Sequence, residues 1–415
     1  MWYYNYGEWT EAYVFLRLLG SGIIYGADIN FKKDDNVFLN IIDIIRHEGD
    51  KTLEFKRISS KGIVYAIENG TQYRLIAYKE LLDEASLLFE SIKNVTSKDR
   101  KFSIEHTEKY LKELHFSQPK IPKLPKEISA QYGKKTDIIL TTKDSIDAAV
   151  STTGFSIKSH LGSASTLFNS APASGLIYEL VGCSDELMNE INGNYISSEN
   201  GMIKFIKENR SINLRFVGTS NEFQSNLEFI DLRMAEVLNC MMLIQIGYYD
   251  KAKSSKVKDL VNKIEEYNPI KEVMRPQHWY KAKMKSFLYD SFAGLTATEA
   301  WDGEKKLSGG YIDVSKEGDM LFYRAVSDDV FTSFLYDHTY VDRPSRGVNK
   351  DVAFVKARAR LKGREATQTE LDNAIYRVNK NGKREKKGKY GDWGYVYKKD
   401  DGKYYMNINF QIRFE

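Results

Sequence analysis

Two neighbouring segments of the chain carry acidic and basic side chains in a pattern that suits phosphodiester hydrolysis. Residues 135–140 read KTDIIL, and residues 154–159 read GFSIKS. Because side chains alternate along a strand, Ser156 and Lys158 would share one face of the second segment. If the two segments pair as neighbouring strands, Asp137 at the start of the first strand lies beside Lys158.

The N-terminal segment is expected to bring further carboxylates to this place. Residues 7–19 have apolar side chains at helical spacing, which predicts an amphipathic helix. Glu8 and Glu11 extend the apolar stripe toward the start of that helix. A favourable interaction with the helix dipole explains them about as well as a function does.

Asp137, Glu11 and Lys158 together would be sufficient for a phosphodiesterase centre. Mg²⁺ prefers hard oxygen ligands and often takes only one or two carboxylates. It lowers the pKa of a bound water and neutralises charge on a phosphoryl oxygen. A nearby lysine can orient the attacking water and stabilise the pentacovalent phosphate. Taken alone the spacing is a weak pattern, which an ordinary β-hairpin with exposed Asp and Lys explains more simply.

The surrounding sequence predicts the elements that would position these residues. Five short β-rich segments over about residues 23–79 predict an antiparallel meander, and a turn around residues 143–147 would join the two chemistry-bearing strands. The proline-rich PKIPKLPK, residues 119–126, predicts an extended connector. Residues 222–246 predict one long buried helix. We expect a core over residues 1–250 with the meander as an inserted subdomain, and a basic region over 251–415 that ends in a β-strand.

Composition excludes several classes of protein. The 415 residues include 42% hydrophobic and 28% charged residues, which excludes wholesale disorder and a collagen-like chain. The two cysteines, Cys183 and Cys240, cannot form a disulfide framework or a Cys-based zinc site, and they fit a reducing cytoplasm. The N-terminus lacks a basic stretch followed by an apolar run, so no signal peptide is expected. The most apolar stretch, residues 237–249, is too short for a membrane helix.

Charge is unevenly distributed along the chain. Residues 343–415 contain 19 Lys and Arg against 9 Asp and Glu, a net charge of +10, whereas the rest of the chain carries −6. Tyrosine and tryptophan are interleaved with these basic residues. Such a region attracts a polyanion such as DNA, although a solvated basic surface is an equally good explanation.

Five segments, distributed over nearly the whole chain, resemble the PD-(D/E)xK nuclease superfamily and, more narrowly, the HpaII-type type II restriction endonucleases. In order they are GEWTEAYVFLRLL, KTDIIL, GFSIKSHLGSASTLFNSA, WDGEKKLSGGYIDV and NINFQIRF. The resemblance implies an α/β (α+β) fold, in which a PD-(D/E)xK core of mixed β-sheet is flanked by helices and joined by added β-rich and helical DNA-recognition regions. It also implies Mg²⁺-dependent cleavage of double-stranded DNA at a short palindrome, with CCGG as the default site.

The chemistry of the residues and the resemblance together suggest roles for individual residues. Glu11, Asp137 and Lys158 would be catalytic, and Asp137, Glu11 and Ile157 would hold Mg²⁺. DNA contacts are expected from the loop after the second strand and from two arginines of the basic region: Ser159, His160, Ser163, Ser165, Thr166, Asn169, Arg343 and Arg346. A palindromic target suits a homodimer, and such an enzyme is paired in function with a cognate DNA methyltransferase.

Two departures from the family pattern keep other functions open. Ser156 stands where the family usually has an acidic residue, and we expect Glu11, or Glu8, to replace that carboxylate from the helix. The basic segment 352–389 is not a recognised family element. The alternatives are a structure-selective nuclease such as a junction resolvase, and a catalytically inactive DNA-binding protein.

Overall fold

The computed structural model describes most of the chain. The described ranges are residues 1–28, 32–95, 101–133, 135–162, 164–188, 190–191, 199–209, 211–304, 309–324, 329–342, 363–378, 384–386 and 396–415, with the single residues 352, 355 and 359. The chain divides into two compact units. Unit 1 comprises Met1–Ser165 and Glu304–Leu335, and unit 2 comprises Thr166–Gly303 and Tyr336–Glu415.

Both units contain helices and strands. The helices with bounds inside the described ranges are α1 (Tyr6–Ser21), α2 (Tyr78–Lys93), α3 (Glu105–Glu113), α4 (Lys126–Tyr132), α5 (Glu199–Glu208), α6 (Asn221–Glu228), α7 (Met234–Gln245), α8 (Val257–Tyr267), α9 (Pro276–Ala293), α10 (Asp329–Asp337) and α11 (Gln368–Ile375). The strands are β1 (Ile23–Ala27), β2 (Lys33–Glu48), β3 (Lys51–Ile58), β4 (Ile63–Glu68), β5 (Thr71–Ala77), β6 (Ile138–Asp144), β7 (Val150–Ser159), β8 (Thr166–Phe168), β9 (Leu176–Val181), β10 (Asn213–Gly218), β11 (Gly310–Val314), β12 (Met320–Arg324), β13 (Thr339–Asp342), β14 (Tyr376–Val378), β15 (Arg384–Lys386), β16 (Val396–Lys398), β17 (Tyr404–Ile408) and β18 (Gln411–Phe414). None of the helices that the structure describes is long and apolar enough to cross a membrane.

Unit 1 is built on a mixed sheet of nine strands in the order β1-β12-β11-β7-β6-β2-β3-β4-β5. Strand β1 also pairs with β2, so β1, β12, β11, β7, β6 and β2 close into a six-stranded barrel. Strand β7 pairs antiparallel with β6 on one side and parallel with β11 on the other. It is therefore fixed along both edges.

Helix α1 packs between α2 and the sheet, so it is buried on most of its surface. Asn5 begins the helix in a capping box, in which its side chain accepts from the Glu8 amide and Glu8 accepts from the Asn5 amide. The Trp9 and Leu16 side chains are fully buried. At Gly20 a Cβ atom would lie 2.7 Å from the Leu82 side chain of α2, so the close approach of the two helices requires glycine.

Unit 2 contains smaller sheets and several helices. A four-stranded antiparallel sheet has the order β10-β9-β17-β16, a three-stranded sheet has the order β13-β18-β8, and β14 pairs with β15. The ring of Phe168 lies 5.4 Å from that of Phe223 and 5.3 Å from that of Phe410, measured between centroids. These stacked rings form part of the core of the unit.

The structure confirms a mixed α+β chain, the antiparallel meander and the β6–β7 hairpin. The meander continues the same sheet as the chemistry-bearing strands, whereas the sequence predicted a separate inserted subdomain. The boundaries between the two units also differ from the boundary predicted at residue 250. The reason is that the β11–β12 hairpin returns to pair with β7 and β1.

The prediction of a single long helix over residues 222–246 is wrong. Helix α6 ends at Glu228, and α7 begins at Met234. Between them the Asp231 side chain accepts a hydrogen bond from the Arg233 amide at 2.9 Å, which stabilises a turn. Phe229 and Leu232 continue the apolar pattern of the sequence through this turn, although both side chains are exposed.

Two adjacent leucines of α2 are expected to contribute differently to the stability of unit 1. Leu88 is fully buried, whereas Leu87 is 51% exposed. We expect Leu88→Ala to lower the free energy of unfolding by about 2–5 kcal/mol, because it removes packed methyl groups and leaves a cavity. Leu87→Ala is the matched control and should change it by less than about 0.5 kcal/mol. Urea denaturation followed by circular dichroism measures both, and equal losses would contradict the position of the helix.

Candidate active site

The Asp137 carboxylate connects the start of β6 to the middle of β7. The Asp137 amide donates to the Phe155 carbonyl at 2.8 Å. In return, Asp137 Oδ2 accepts from the Ile157 amide at 2.8 Å and from Ser156 Oγ at 3.0 Å. The serine at the departure from the family pattern therefore orients Asp137 rather than supplying a second carboxylate.

The backbone carbonyl of Ile157 points to the same side of β7 as Asp137. Within a strand, the amide and carbonyl of one residue point to the same edge, and this edge alternates from residue to residue. The Phe155 carbonyl and the Ile157 amide both bond to Asp137, so odd-numbered residues here direct their backbone groups toward β6. The Ile157 carbonyl is thus directed toward the β6 edge of β7, as the Ile157 amide that binds Asp137 is.

Helix α1 brings Glu11 to the same place. Its register against β7 is fixed one residue earlier, where the Thr10 and Ser159 hydroxyls lie 2.9 Å apart and hydrogen-bond. Glu11 Oε2 accepts from the Ile121 amide at 2.9 Å. Glu11 lies close enough to Asp137 that the charge of Asp137 raises its pKa.

The electrostatics of the site are those of two carboxylates in a poorly hydrated position. Burial, followed by the charge of Asp137, raises the pKa of Glu11 well above its ordinary value. Burial also raises the pKa of Asp137, and this increase is opposed first by the charge of Lys158 and then by the Ile157 amide. Burial and the charge of Lys158 lower the pKa of Lys135 to about 7. A divalent cation between the carboxylates would remove their mutual repulsion.

Glu8, the alternative to Glu11, has a different environment. It completes the capping box with Asn5, and Lys120 Nζ donates to Glu8 Oε1 at 2.6 Å. The Lys120 contact and the Asn5 amide lower the pKa of Glu8 against the effect of burial, which raises it. Both carboxylate oxygens of Glu8 are therefore used in stabilising the start of α1, and Glu11 is the better candidate for a cation ligand.

The donor set fits a hard divalent cation. Asp137 and Glu11 offer carboxylate oxygens, and Ile157 offers a carbonyl oxygen, which is the mixed set that Mg²⁺ takes together with water. The described residues contain no cluster of three or more His, Cys, Asp or Glu side chains suited to a metal.

The structure adds two residues that the sequence prediction missed. Lys135 lies near both Lys158 and Asp137, and its proximity to Asp137 along the chain was the available signal. Asp313 of β11 is the register partner of Lys158, and its Oδ1 lies 2.9 Å from His160 Nε2. The hydrogen bond to Asp313 raises the pKa of His160. The parallel pairing of β7 with β11 gave no local signal in the sequence.

The residues predicted to contact DNA have different environments. The Ser159 hydroxyl is buried against Thr10, and its carbonyl accepts from Ser165 Oγ at 3.3 Å. His160 is half-buried in unit 1, whereas Thr166 and the exposed Asn169 belong to unit 2. The remaining three, Ser163, Arg343 and Arg346, lie outside the described residues. Contacts between all of these residues and DNA stay predictions.

The fold and the site define a class of protein. It is a mixed-sheet protein whose centre of two carboxylates and one lysine suits phosphodiester hydrolysis. A model of the HpaII restriction endonuclease family matches residues 5–351, a range that includes the whole centre. The chain is 31% identical over 354 residues to the type II restriction enzyme HpaII of Haemophilus parainfluenzae, which covers 82% of this chain and 90% of that protein. No solved structure matches the chain significantly.

The chain belongs to the HpaII restriction endonuclease family. The resemblance found in its segments is thereby confirmed. Membership supports restriction endonuclease activity with DNA as the substrate.

The contacts of Glu11 and Ser156 predict that substitutions at these two residues reduce DNA cleavage by unequal amounts. We expect Glu11→Gln to reduce DNA cleavage by about 100-fold or more, because it would remove one of the two carboxylates that are candidates to hold a cation. Ser156→Ala removes one of two hydrogen bonds to Asp137 and should cost about tenfold or less, about 1.4 kcal/mol of barrier. Initial cleavage rates at saturating Mg²⁺ measure both. Small, equal losses would show that Glu11 has no part in the reaction.

The raised pKa values predict how stability depends on pH in the cation-free protein. Above pH 4.5, the ordinary pKa of Glu, the folded protein binds more protons than the unfolded chain because the pKa of Glu11 is raised by folding. Stability should therefore fall as the pH rises toward the folded-state pKa, and Glu11→Gln should weaken that fall. Thermal unfolding between pH 4.5 and neutrality, with EDTA present, measures the effect. The same pH dependence in both proteins would contradict the assignment.

Proposed function

We propose that the chain is a type II site-specific deoxyribonuclease that uses Mg²⁺ to hydrolyse both strands of DNA at a short palindromic site. The observation that carries the proposal is the convergence of Glu11 with Asp137 and Lys158. These residues come from three separate places in the sequence, and all lie within the range that the family model matches.

In the proposed mechanism, Asp137, Glu11 and the Ile157 carbonyl hold the cation. When bound, Mg²⁺ supplies Lewis acidity that activates water and neutralises phosphoryl charge. Asp137 is kept oriented by the Ile157 amide and by Ser156. The Lys158 side chain would orient the attacking water, and its positive charge would offset the negative charge that develops on the phosphate.

We also propose that the sheet around β6 and β7 is a PD-(D/E)xK core. Its support is the position of Asp137 at the start of one strand and Lys158 on the neighbouring strand, with α1 packed alongside. The family's missing carboxylate at Ser156 is replaced by Glu11 from α1. This arrangement keeps two negative ligands for one cation.

Recognition of DNA is assigned to residues outside the centre. We propose that the loop residues Ser159, His160, Ser163, Ser165, Thr166 and Asn169 contact the DNA backbone beside the scissile bond. Arg343 and Arg346 are proposed to contact guanine in the major groove. The net charge of +10 over residues 343–415 supports binding of a polyanion by that region, including the basic segment 352–389.

The family suggests the remaining details. We propose a CCGG-like site, because that is the default site implied by the resemblance to the HpaII-type enzymes. A homodimer would match the two-fold symmetry of such a site. The cytoplasm is the proposed location, and a cognate DNA methyltransferase is the proposed functional partner.

Digestion of plasmid DNA with Mg²⁺, followed by sequencing of the fragment ends, tests the proposal. Discrete fragments with a common end sequence are expected, and EDTA should abolish cutting. Cleavage confined to DNA junctions would identify a structure-selective nuclease instead. A mobility shift without any cleavage would identify an inactive DNA-binding protein, as the serine at position 156 allows.

The proposed centre predicts separation of cleavage from binding. We expect Asp137→Ala and Lys158→Ala each to lower the cleavage rate by about 100-fold or more while specific DNA binding survives, because both residues serve the chemical step. Lys143→Ala, an exposed lysine of β6, is the matched control and should cleave normally. Cleavage rates and mobility shifts with Ca²⁺ in place of Mg²⁺ provide the two readouts. Retention of cutting within about tenfold of wild type by either variant would overturn the assignment.

A further inference from the structure

The proline-rich connector between α3 and α4 runs beside the candidate centre and is held there by a buried arginine. Arg46 of β2 is only 4% exposed. One of its guanidinium nitrogens donates to the Gln118 carbonyl at 2.8 Å and to the Lys120 carbonyl at 2.6 Å. Its Nε donates to Glu48 at 2.6 Å, and its guanidinium lies 3.8 Å from the centroid of the Phe116 ring. The connector cannot shift without breaking these contacts.

The next residue of the connector reaches the centre itself. The Ile121 amide donates to Glu11 Oε2, so this ligand candidate is held from outside its own helix. One residue earlier, Lys120 Nζ donates to Glu8 on the preceding turn of α1. The connector is thus fixed to β2 through Arg46 on one side and to α1 through Glu11 and Glu8 on the other.

This hydrogen bond matters because Glu11 and Asp137 repel each other. In the absence of a restraint, the Glu11 side chain would relax away from the second carboxylate, and the two ligands would be too far apart to share a cation. The Ile121 amide uses one oxygen of Glu11 and leaves the other oxygen for the cation. Contacts of this kind with metal ligands fix their orientation and strengthen metal binding.

We propose that Arg46 and the connector residues Gln118–Ile121 form a positioning device that holds Glu11 in place for the divalent cation. The proposal rests on the proposed function, since it takes Glu11 as a cation ligand. Arg46 touches neither the cation nor DNA in this arrangement. It holds the connector through two of its carbonyls, and the connector acts on Glu11 through one backbone amide. The positive charge of Arg46 also lies close enough to the Glu11 carboxylate to interact with it directly.

The test uses Mn²⁺ as the probe and measures its binding to the full-length protein without DNA, from the free Mn²⁺ signal in electron paramagnetic resonance. Ile121→Pro removes the amide proton that Glu11 accepts, whereas Ile121→Ala keeps it. We expect Ile121→Pro to weaken Mn²⁺ binding by about 10- to 100-fold and Ile121→Ala to change it by less than about threefold. Lys123→Pro, at an exposed position of the same connector, controls for the effect of an added proline.

Arg46 is tested in the same way against a matched arginine. Arg46→Met should weaken Mn²⁺ binding by about 10-fold or more, and Arg46→Lys should retain part of it because one donor group remains. Arg57 of the neighbouring strand β3 also stacks on an aromatic ring, at 4.0 Å from the centroid of Tyr78, but it contacts no part of the connector among the described residues. Arg57→Met should bind Mn²⁺ as wild type does.

A double-mutant cycle distinguishes positioning from general loosening of the fold. In the Glu11→Gln background, Ile121→Pro should weaken Mn²⁺ binding no further, because the ligand that it positions is already lost. Additive losses would overturn the proposal, as would wild-type affinity in Ile121→Pro and Arg46→Met, or an equal loss in Arg57→Met. If the wild-type protein binds no Mn²⁺, the proposed cation site itself fails, and that result is distinct from the others.

Discussion

The repulsion between two carboxylates, Glu11 and Asp137, is the constraint around which unit 1 is organised. In a poorly hydrated site each disfavours the ionised form of the other or must be balanced by neighbouring groups. The structure supplies this balance from three directions: backbone amides of Ile157 and Ile121, the hydroxyl of Ser156, and the positive charge of Lys158. In the proposed function, a divalent cation would complete it. Clusters of ionisable groups whose pKa values are shifted in this way are typical of catalytic centres.

The sheet provides the rigidity that such a site needs. Strand β7 carries Ser156, Ile157 and Lys158 on consecutive positions and is paired along both edges. Closure of six strands into a barrel leaves the strand no free edge along which to slide. A shift of register by one residue would place Lys158 on the opposite face, away from Asp137. The geometry of the centre is therefore set by backbone hydrogen bonds as much as by its side chains.

The sequence predicted the parts of this site that depend on local patterns. Alternation along β7 placed Ser156 with Lys158, and helical spacing placed Glu11 at the end of the α1 stripe. It left Glu8 as an alternative to Glu11. The capping box of Glu8 with Asn5 is a local Asn-x-x-Glu pattern that the sequence does contain. The contact of Glu8 with Lys120, in contrast, comes from a distant segment. Such contacts have no periodic signal.

Long-range pairing accounts for the other differences between prediction and structure. Asp313 lies beside Lys158 only because β11 pairs with β7 across more than a hundred intervening residues. The same pairing places residues 304–335 in unit 1, although the sequence suggested a boundary near residue 250. In contrast, the turn between α6 and α7 was missed for a local reason. Phe229 and Leu232 are exposed, but their apolar side chains continue the spacing that is typical of a buried helix.

The parallel pairing of β7 with β11 also determines when the barrel can close during synthesis. Ser156 and Tyr311 are register partners, so a loop of roughly 150 residues must be made before they meet, and non-local pairings of this kind form slowly. A ribosome adding about 5–20 residues per second exposes β7 for about 8–30 seconds before β11 emerges. During that interval the edge of β7 has unpaired amides and carbonyls, which can pair with the strands of another chain. The strand that carries the lysine of the centre therefore keeps an open edge until β11 is made, as β1 does until β12 is made. Assembly of the complete barrel is postponed until most of the polypeptide exists.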